Sequence, residues 1–107
     1  MDTDLMLELK AMGMVDCDFS YKAVKAVLMD EDGSLVVVVF DYINDKWNVA
    51  TFEDVSLDKF REWKDGALIQ NVFPDMEMAD RECLIIGMNR KDQAEMYATF
   101  IDEGEPH

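Results

Sequence analysis

The sequence has 107 residues, half of them hydrophobic and 32% charged, with 24 Asp and Glu against 10 Lys and Arg and a formal net charge of -14. That length allows one domain with a real core, taken as residues 1–107, and excludes a multi-domain enzyme; the hydrophobic share excludes a disordered acidic tail. The acidic excess disfavours direct binding of DNA or RNA, which depends on Lys and Arg displacing counterions, and weakens attachment to anionic membranes for the same reason.

In chain order, Met1-Asp2-Thr3-Asp4 lacks the basic region of a secretory signal, so a cytosolic location is expected. Thr3 or Asp4 can cap a short helix through about Met12, with Leu5, Leu9 and Met12 at helical spacing and Gly13 stopping it. A strand-rich part, about residues 14–54, follows. It holds Tyr21 to Met29, Leu35 to Tyr42 and Lys46 to Phe52, separated by Asp30-Glu31-Asp32-Gly33-Ser34 and Ile43-Asn44-Asp45. Loops this short between β-rich runs predict a three-stranded antiparallel meander. Val36 to Val39 is β-branched and apolar on both faces, so the middle strand is covered on both sides, or on one with the other left for contact.

A helical part, about residues 55–103, completes the chain. Ser56 is placed to cap Leu57 to Asp65, ended by Gly66. Ala67 to Phe73 is another turn or two of helix, closed by Pro74. Ala79 to Ile86 ends at Gly87, and Asn89 caps a last helix through Ile101 with Ala94, Tyr97 and Ile101 as an apolar stripe; Asp102 to His107 is a frayed tail. The fold class is therefore α+β: a short N-terminal helix, the meander, then three to four short helices packed on the sheet.

Few residues invite catalysis. The single histidine is His107, which removes Ser/His/Asp, Cys/His and His-rich zinc arrangements from a fixed site. Cys17 and Cys83 read as two free thiols. An EF-hand with Gly33 at its sixth position would need Glu at its twelfth, where Val39 stands, so Asp30 to Ser34 is an acidic hairpin turn and no metal is expected. No glycine-rich phosphate loop occurs. The expectation is no catalytic residue, no cofactor and no enzymatic activity. Among nine methionines, Met76 and Met78 beside Pro74 are the pair most open to a binding role. Trp63 reads as packed and Trp47 as the more exposed.

Gly66-Ala67-Leu68-Ile69-Gln70-Asn71-Val72-Phe73-Pro74 and then Arg81-Glu82-Cys83-Leu84-Ile85-Ile86-Gly87 resemble a pattern of small bacteriophage proteins, G-x-x-I-Q-x-x-F-P followed by R-E-x-L-I-x-G. The likeness spans about 22 residues, roughly a fifth of the chain. It implies a phage or prophage origin, and a bacterial host cytoplasm, but no mechanism. The residues also make structural sense alone: Pro74 stops a helix, Asp80 can cap the next, Phe73 and Leu84 can pack, Gly87 terminates. Gln70 and Arg81 would lock the two helices by a buried hydrogen bond or ion pair, or touch a partner.

Residues before Ser56 carry 12 acids against 4 bases and the remainder 12 against 6, so the charge belongs to the folded body. The expected function is a small acidic phage-type protein that binds a basic protein and inhibits or redirects it, such as a nucleic-acid enzyme or antiviral defence complex, by presenting a nucleic-acid-like surface. Asp30, Glu31, Asp32, Asp41, Asp45, Trp47, Glu53 and Asp54 are the expected contact residues. The alternative is a phage structural or assembly protein that forms homo-oligomers through Val36 to Phe40.

Overall fold

The computed structural model describes residues 3–104, with side chains described for 4–98. The expectations for the Thr3 side chain, Ile101 and the tail to His107 fall outside the described side chains. Chain order is α1 (Thr3–Ala11), β1 (Val15–Asp16), β2 (Val24–Met29), β3 (Leu35–Asp41), β4 (Lys46–Phe52), α2 (Leu57–Lys64), α3 (Ile69–Val72), α4 (Met78–Ile86) and α5 (Arg90–Gly104). The fold is α+β, as expected, with four antiparallel strands in the order β1-β2-β3-β4 rather than three. The additional strand is the two-residue β1, paired Val15 to Met29 and Asp16 to Leu28, too short to carry a period-2 signal. β2 also starts later than Tyr21, because Lys22 adopts positive φ (52°) in a tight turn that pairs Tyr21 with Val24.

Register decides which side chains meet. A bulge between Val24 and Ala26 shifts the alternation, so Val24 and Val27 enter one core while Ala26 and Leu28 enter another. On the first face Val24, Val27, Leu35, Val37, Val39 and Phe52 pack under Phe60 and Trp63 of α2, Val72 and Phe73 around α3, and Cys83 and Leu84 of α4. On the second face Ala26, Leu28, Val36 and Val38 meet Met6 and Leu9 of α1. The four consecutive valines of β3 are therefore buried on both sides, since α1 lies opposite the later helices. Within α1, Leu9 is buried as expected, but Met6 replaces Met12 on the packed face; Met12 is 67% exposed.

Helix ends follow local chemistry. Ser56 occupies the N-cap of α2 with extended backbone but makes no side-chain cap bond. Asn89 caps α5 as expected, its Oδ1 accepting the Asp92 N–H at 2.8 Å. Asp80 instead lies in the first turn of α4, whose N-cap is Glu77. Gln93 is buried and donates to the carbonyls of Ala79 (2.9 Å) and Met88 (2.8 Å), joining α5 to the start and end of α4. The expected lock between Gln70 and Arg81 is not formed: Gln70 is exposed, and α4 is tied down instead by Gln93 and by Arg90. Beyond Gln93, Ala94 to Ala98 are all exposed, so the expected stripe members Ala94 and Tyr97 are not buried. No helix among the described residues is long and apolar enough to cross a membrane.

Candidate functional site

Antiparallel hairpins sort the charge. The pair Leu35 to Phe52 sets the β2–β3 turn beside the exit from β4, so Asp30, Glu31, Asp32, Glu53 and Asp54 share one end of the sheet. The pair Asp41 to Lys46 closes the opposite end, about 20 Å away for strands of this length. There Lys22 and Lys25 flank the start of β2, Lys46 starts β4, and Lys64 ends α2 with its Nζ 5.5 Å from the Phe19 ring centre. The eight expected contact residues thus divide. Five gather at the acidic end, while Asp41, Asp45 and Trp47 lie at the lysine end.

The turn at the acidic end is closed by local bonds. Asp30 Oδ1 accepts the Glu31 N–H at 2.7 Å, Asp32 Oδ1 accepts the Ser34 N–H at 3.0 Å, and Gly33 supplies φ of 89°. Bonding to the Ser34 backbone, and then to its hydroxyl, holds the Asp32 carboxyl below its usual range, so it stays ionised. A groove of about 450 Å³ runs beside this turn, lined by Asp16, Cys17, Asp18, Asp30, Glu31 and Arg61 among others. Burial, reinforced by Asp16 and opposed by Arg61, raises the Cys17 thiol; burial, with Asp80 and Asp41, pushes Cys83 up to about 11. Both sulfurs are protonated at neutral pH and poor nucleophiles. No group of three or more His, Cys, Asp or Glu among the described residues could hold a metal ion.

A second, larger groove of about 790 Å³ lies between the exit of β4 and the segment joining α3 to α4. Phe52, Val55, Val72, Phe73 and Met76 supply apolar lining, and Glu53, Asp54, Asp75, Glu77 and Asp80 supply carboxylates against the single base Lys59. Asp75, Glu77 and Asp80 are not among the residues that the sequence marks for a site. The sequence signal was present, since acids alternate through Pro74-Asp75-Met76-Glu77-Met78, but only folding brings them opposite Glu53 and Asp54. Met76 lines the groove half-buried, whereas Met78 is exposed outside it.

Asp41 corrects an expectation. It is fully buried, not available to a partner. Its Oδ1 accepts the N–H groups of Ile43 (2.9 Å) and Asn44 (3.0 Å), and its Oδ2 accepts the Asn44 side-chain amide at 2.8 Å, so both oxygens close the β3–β4 turn. Burial pushes this carboxyl up, but the Asn44 and Ile43 donors and Lys46 outweigh it and hold it below the ordinary range. A carboxyl with a lowered folded pKa contributes stability that is present above the unfolded value of about 3.9 and is lost as pH falls through the folded value. Asp41→Asn, which sets an amide donor against a donor, is expected to cost about 1–3 kcal/mol near neutral pH. In urea unfolding from pH 7 to 3, that deficit relative to wild type should shrink below about pH 4; a constant deficit would show that the carboxylate charge is irrelevant to the turn.

Trp47 is half-buried, edge-on to Phe40 with ring centres 4.9 Å apart, and Asp45 is exposed in the turn. Of the motif residues between 66 and 87, Phe73 is buried in the first core, Pro74 follows the end of α3, and Gly87 closes α4 with φ of 84°. Gly66 follows α2 at φ of 117°, and Arg81 and Glu82 are half-exposed on α4. No protein-family model, curated protein or solved structure matches the chain.

Proposed function

We propose that the chain acts by binding a protein with a basic surface through the acidic end of its sheet, and that catalysis is not its role. The observation that carries this reading is the crowding of carboxylates: Asp30, Glu31, Asp32, Glu53 and Asp54 gather at one end, with Asp75, Glu77 and Asp80 across the larger groove, whereas at the other end acids and bases are mixed, Lys46 being paired with Asp92 beside Asp41 and Asp45. An acidic concentration at one end steers a basic partner and orients it on arrival, whereas charge spread evenly for solubility would not. The finer reading is a phage-type inhibitor acting in the bacterial cytoplasm. It occupies the phosphate-binding groove of a host nucleic-acid enzyme or antiviral defence complex by mimicking nucleic acid, and the pattern across 66–87 supports its origin. Assembly through Val36 to Phe40 has less support, because β3 is paired on both edges and Val36 to Val39 are buried.

The test is retention of bacterial proteins on the immobilised chain. Basic nucleic-acid-binding proteins should be held at low salt and released both by high salt and by competing duplex DNA. Retention that survives salt and DNA would contradict the reading.

A further inference from the structure

The larger groove has features that a generally acidic surface lacks. Its lining includes Val55, Val72, Phe73 and Met76, and Glu53, Asp54 and Asp75 have no ion pair with any described residue. One side of it already takes a guanidinium. Arg90 Nε and Nη2 donate to the two oxygens of Asp80 at 3.0 and 2.7 Å, and Arg90 Nη1 lies 2.9 Å from Glu77. The lone base Lys59 is itself paired with Glu62 at 3.4 Å. Thr51 and Phe52, also in the lining, end β4, and no strand among the described residues pairs with the outer edge of β4. An open strand edge offers unpaired N–H and C=O groups to an extended chain, and pockets beside it select alternate side chains.

We propose that this groove receives an extended basic peptide segment of the partner, which adds to the outer edge of β4 near Thr51 and seats one apolar side chain beside Met76 and Phe73. Lys or Arg residues flanking that apolar residue meet Glu53, Asp54 and Asp75. The assignment rests on the binding function proposed above and names the feature of the partner that this end recognises. Charge complementarity excludes an acidic segment, and the apolar lining disfavours a purely polar one.

The test titrates isotope-labelled protein with a short synthetic peptide alternating Lys with Leu and Val, following backbone amides by NMR. Saturable shifts are expected at Ala50 to Asp54 and Asn71 to Glu77, and none with the same peptide carrying Glu for Lys. A lysine homopeptide, lacking the apolar anchor, should bind roughly tenfold more weakly, as should the alternating peptide with N-methyl groups on the residues facing β4. The exposed double variant Glu53→Lys/Asp75→Lys should lose affinity about tenfold with an unchanged amide spectrum elsewhere. If the alternating peptide shifts only the Asp30 to Gly33 turn, or the homopeptide binds equally well, the groove assignment is overturned while binding of basic partners stands. If neither peptide nor any basic protein binds, both fall.

Discussion

Gly87→Ala is expected to destabilise the protein by about 2–4 kcal/mol, read as a lowered denaturant midpoint at unchanged m-value. Two costs combine. Gly87 ends α4 at φ of 84°, a backbone conformation that side-chain-bearing residues rarely adopt. In addition, a Cβ there would overlap the Phe40 carbonyl and lie 2.8 Å from the Asp41 nitrogen, both backbone atoms of the central strand that cannot swing aside. Moving the α4 end away would also break the bond from Asn48 Nδ2 to the Gly87 carbonyl at 2.7 Å. Gly33→Ala separates the two costs, because Gly33 has φ of 89° but nothing within 4 Å of its Cβ position. That variant should lose only about 1 kcal/mol. Equal losses for the two would mean that close packing of α4 on β3 is not what Gly87 provides.

Phe60→Ala is expected to cost about 3–5 kcal/mol, a large part of the roughly 5–15 kcal/mol that holds a domain folded. Phe60 has no exposed surface and sits where α2 meets the sheet and α3. Its ring centre lies 5.6 Å from that of Phe19, 5.1 Å from Phe73 and 6.5 Å from Phe52, so truncation leaves a cavity bounded by three other rings. Those rings come from the loop before β2, the end of α3 and the end of β4 and cannot all close in. Phe60→Leu should recover more than half of the loss by filling most of the volume. Calorimetry or urea unfolding checks both variants; an alanine variant within about 1 kcal/mol of wild type would place the centre of the first core elsewhere.

The elements that were legible from sequence are those with strong local signals. β3 was fixed by its run of valines, β4 by the turn at Asn44 and Asp45, and the ends of α2 and α4 by Gly66 and Gly87. Asn89 was legible as a cap because its side chain acts within one turn. What escaped depended on distant partners. β1 exists only because Val15 and Asp16 reach the edge of β2, and Met6 rather than Met12 is buried because of how α1 lies on Ala26 and Leu28. Asp41 reads in sequence like any acid at a strand end. Its donors are local, Ile43 and Asn44 two and three residues on, so the turn bonding follows from sequence, while its complete burial does not.

The candidate site shows the same division. The turn at Asp30, Glu31 and Asp32 and the exit at Glu53 and Asp54 were identified from composition, but hairpin register makes them neighbours and separates them from Asp45 and Trp47. Asp75, Glu77 and Asp80 join them only through the packing of α3 and α4 on the first face. The charge that disfavours nucleic acid and anionic membranes thus crowds at one end of the sheet, which a sum over residues cannot reveal.

Binding of a purified basic DNA-binding domain, measured by calorimetry at low and high salt, discriminates an oriented acidic end from diffuse charge. Wild type, Asp30→Lys/Asp32→Lys/Glu53→Lys and Lys22→Glu/Lys25→Glu are compared. Reversal at the acidic end should abolish a salt-sensitive association, whereas reversal at the lysine end should leave it intact or strengthen it. Equal binding by all three proteins, or loss on reversing the lysine end alone, would contradict recognition through the acidic end of the sheet.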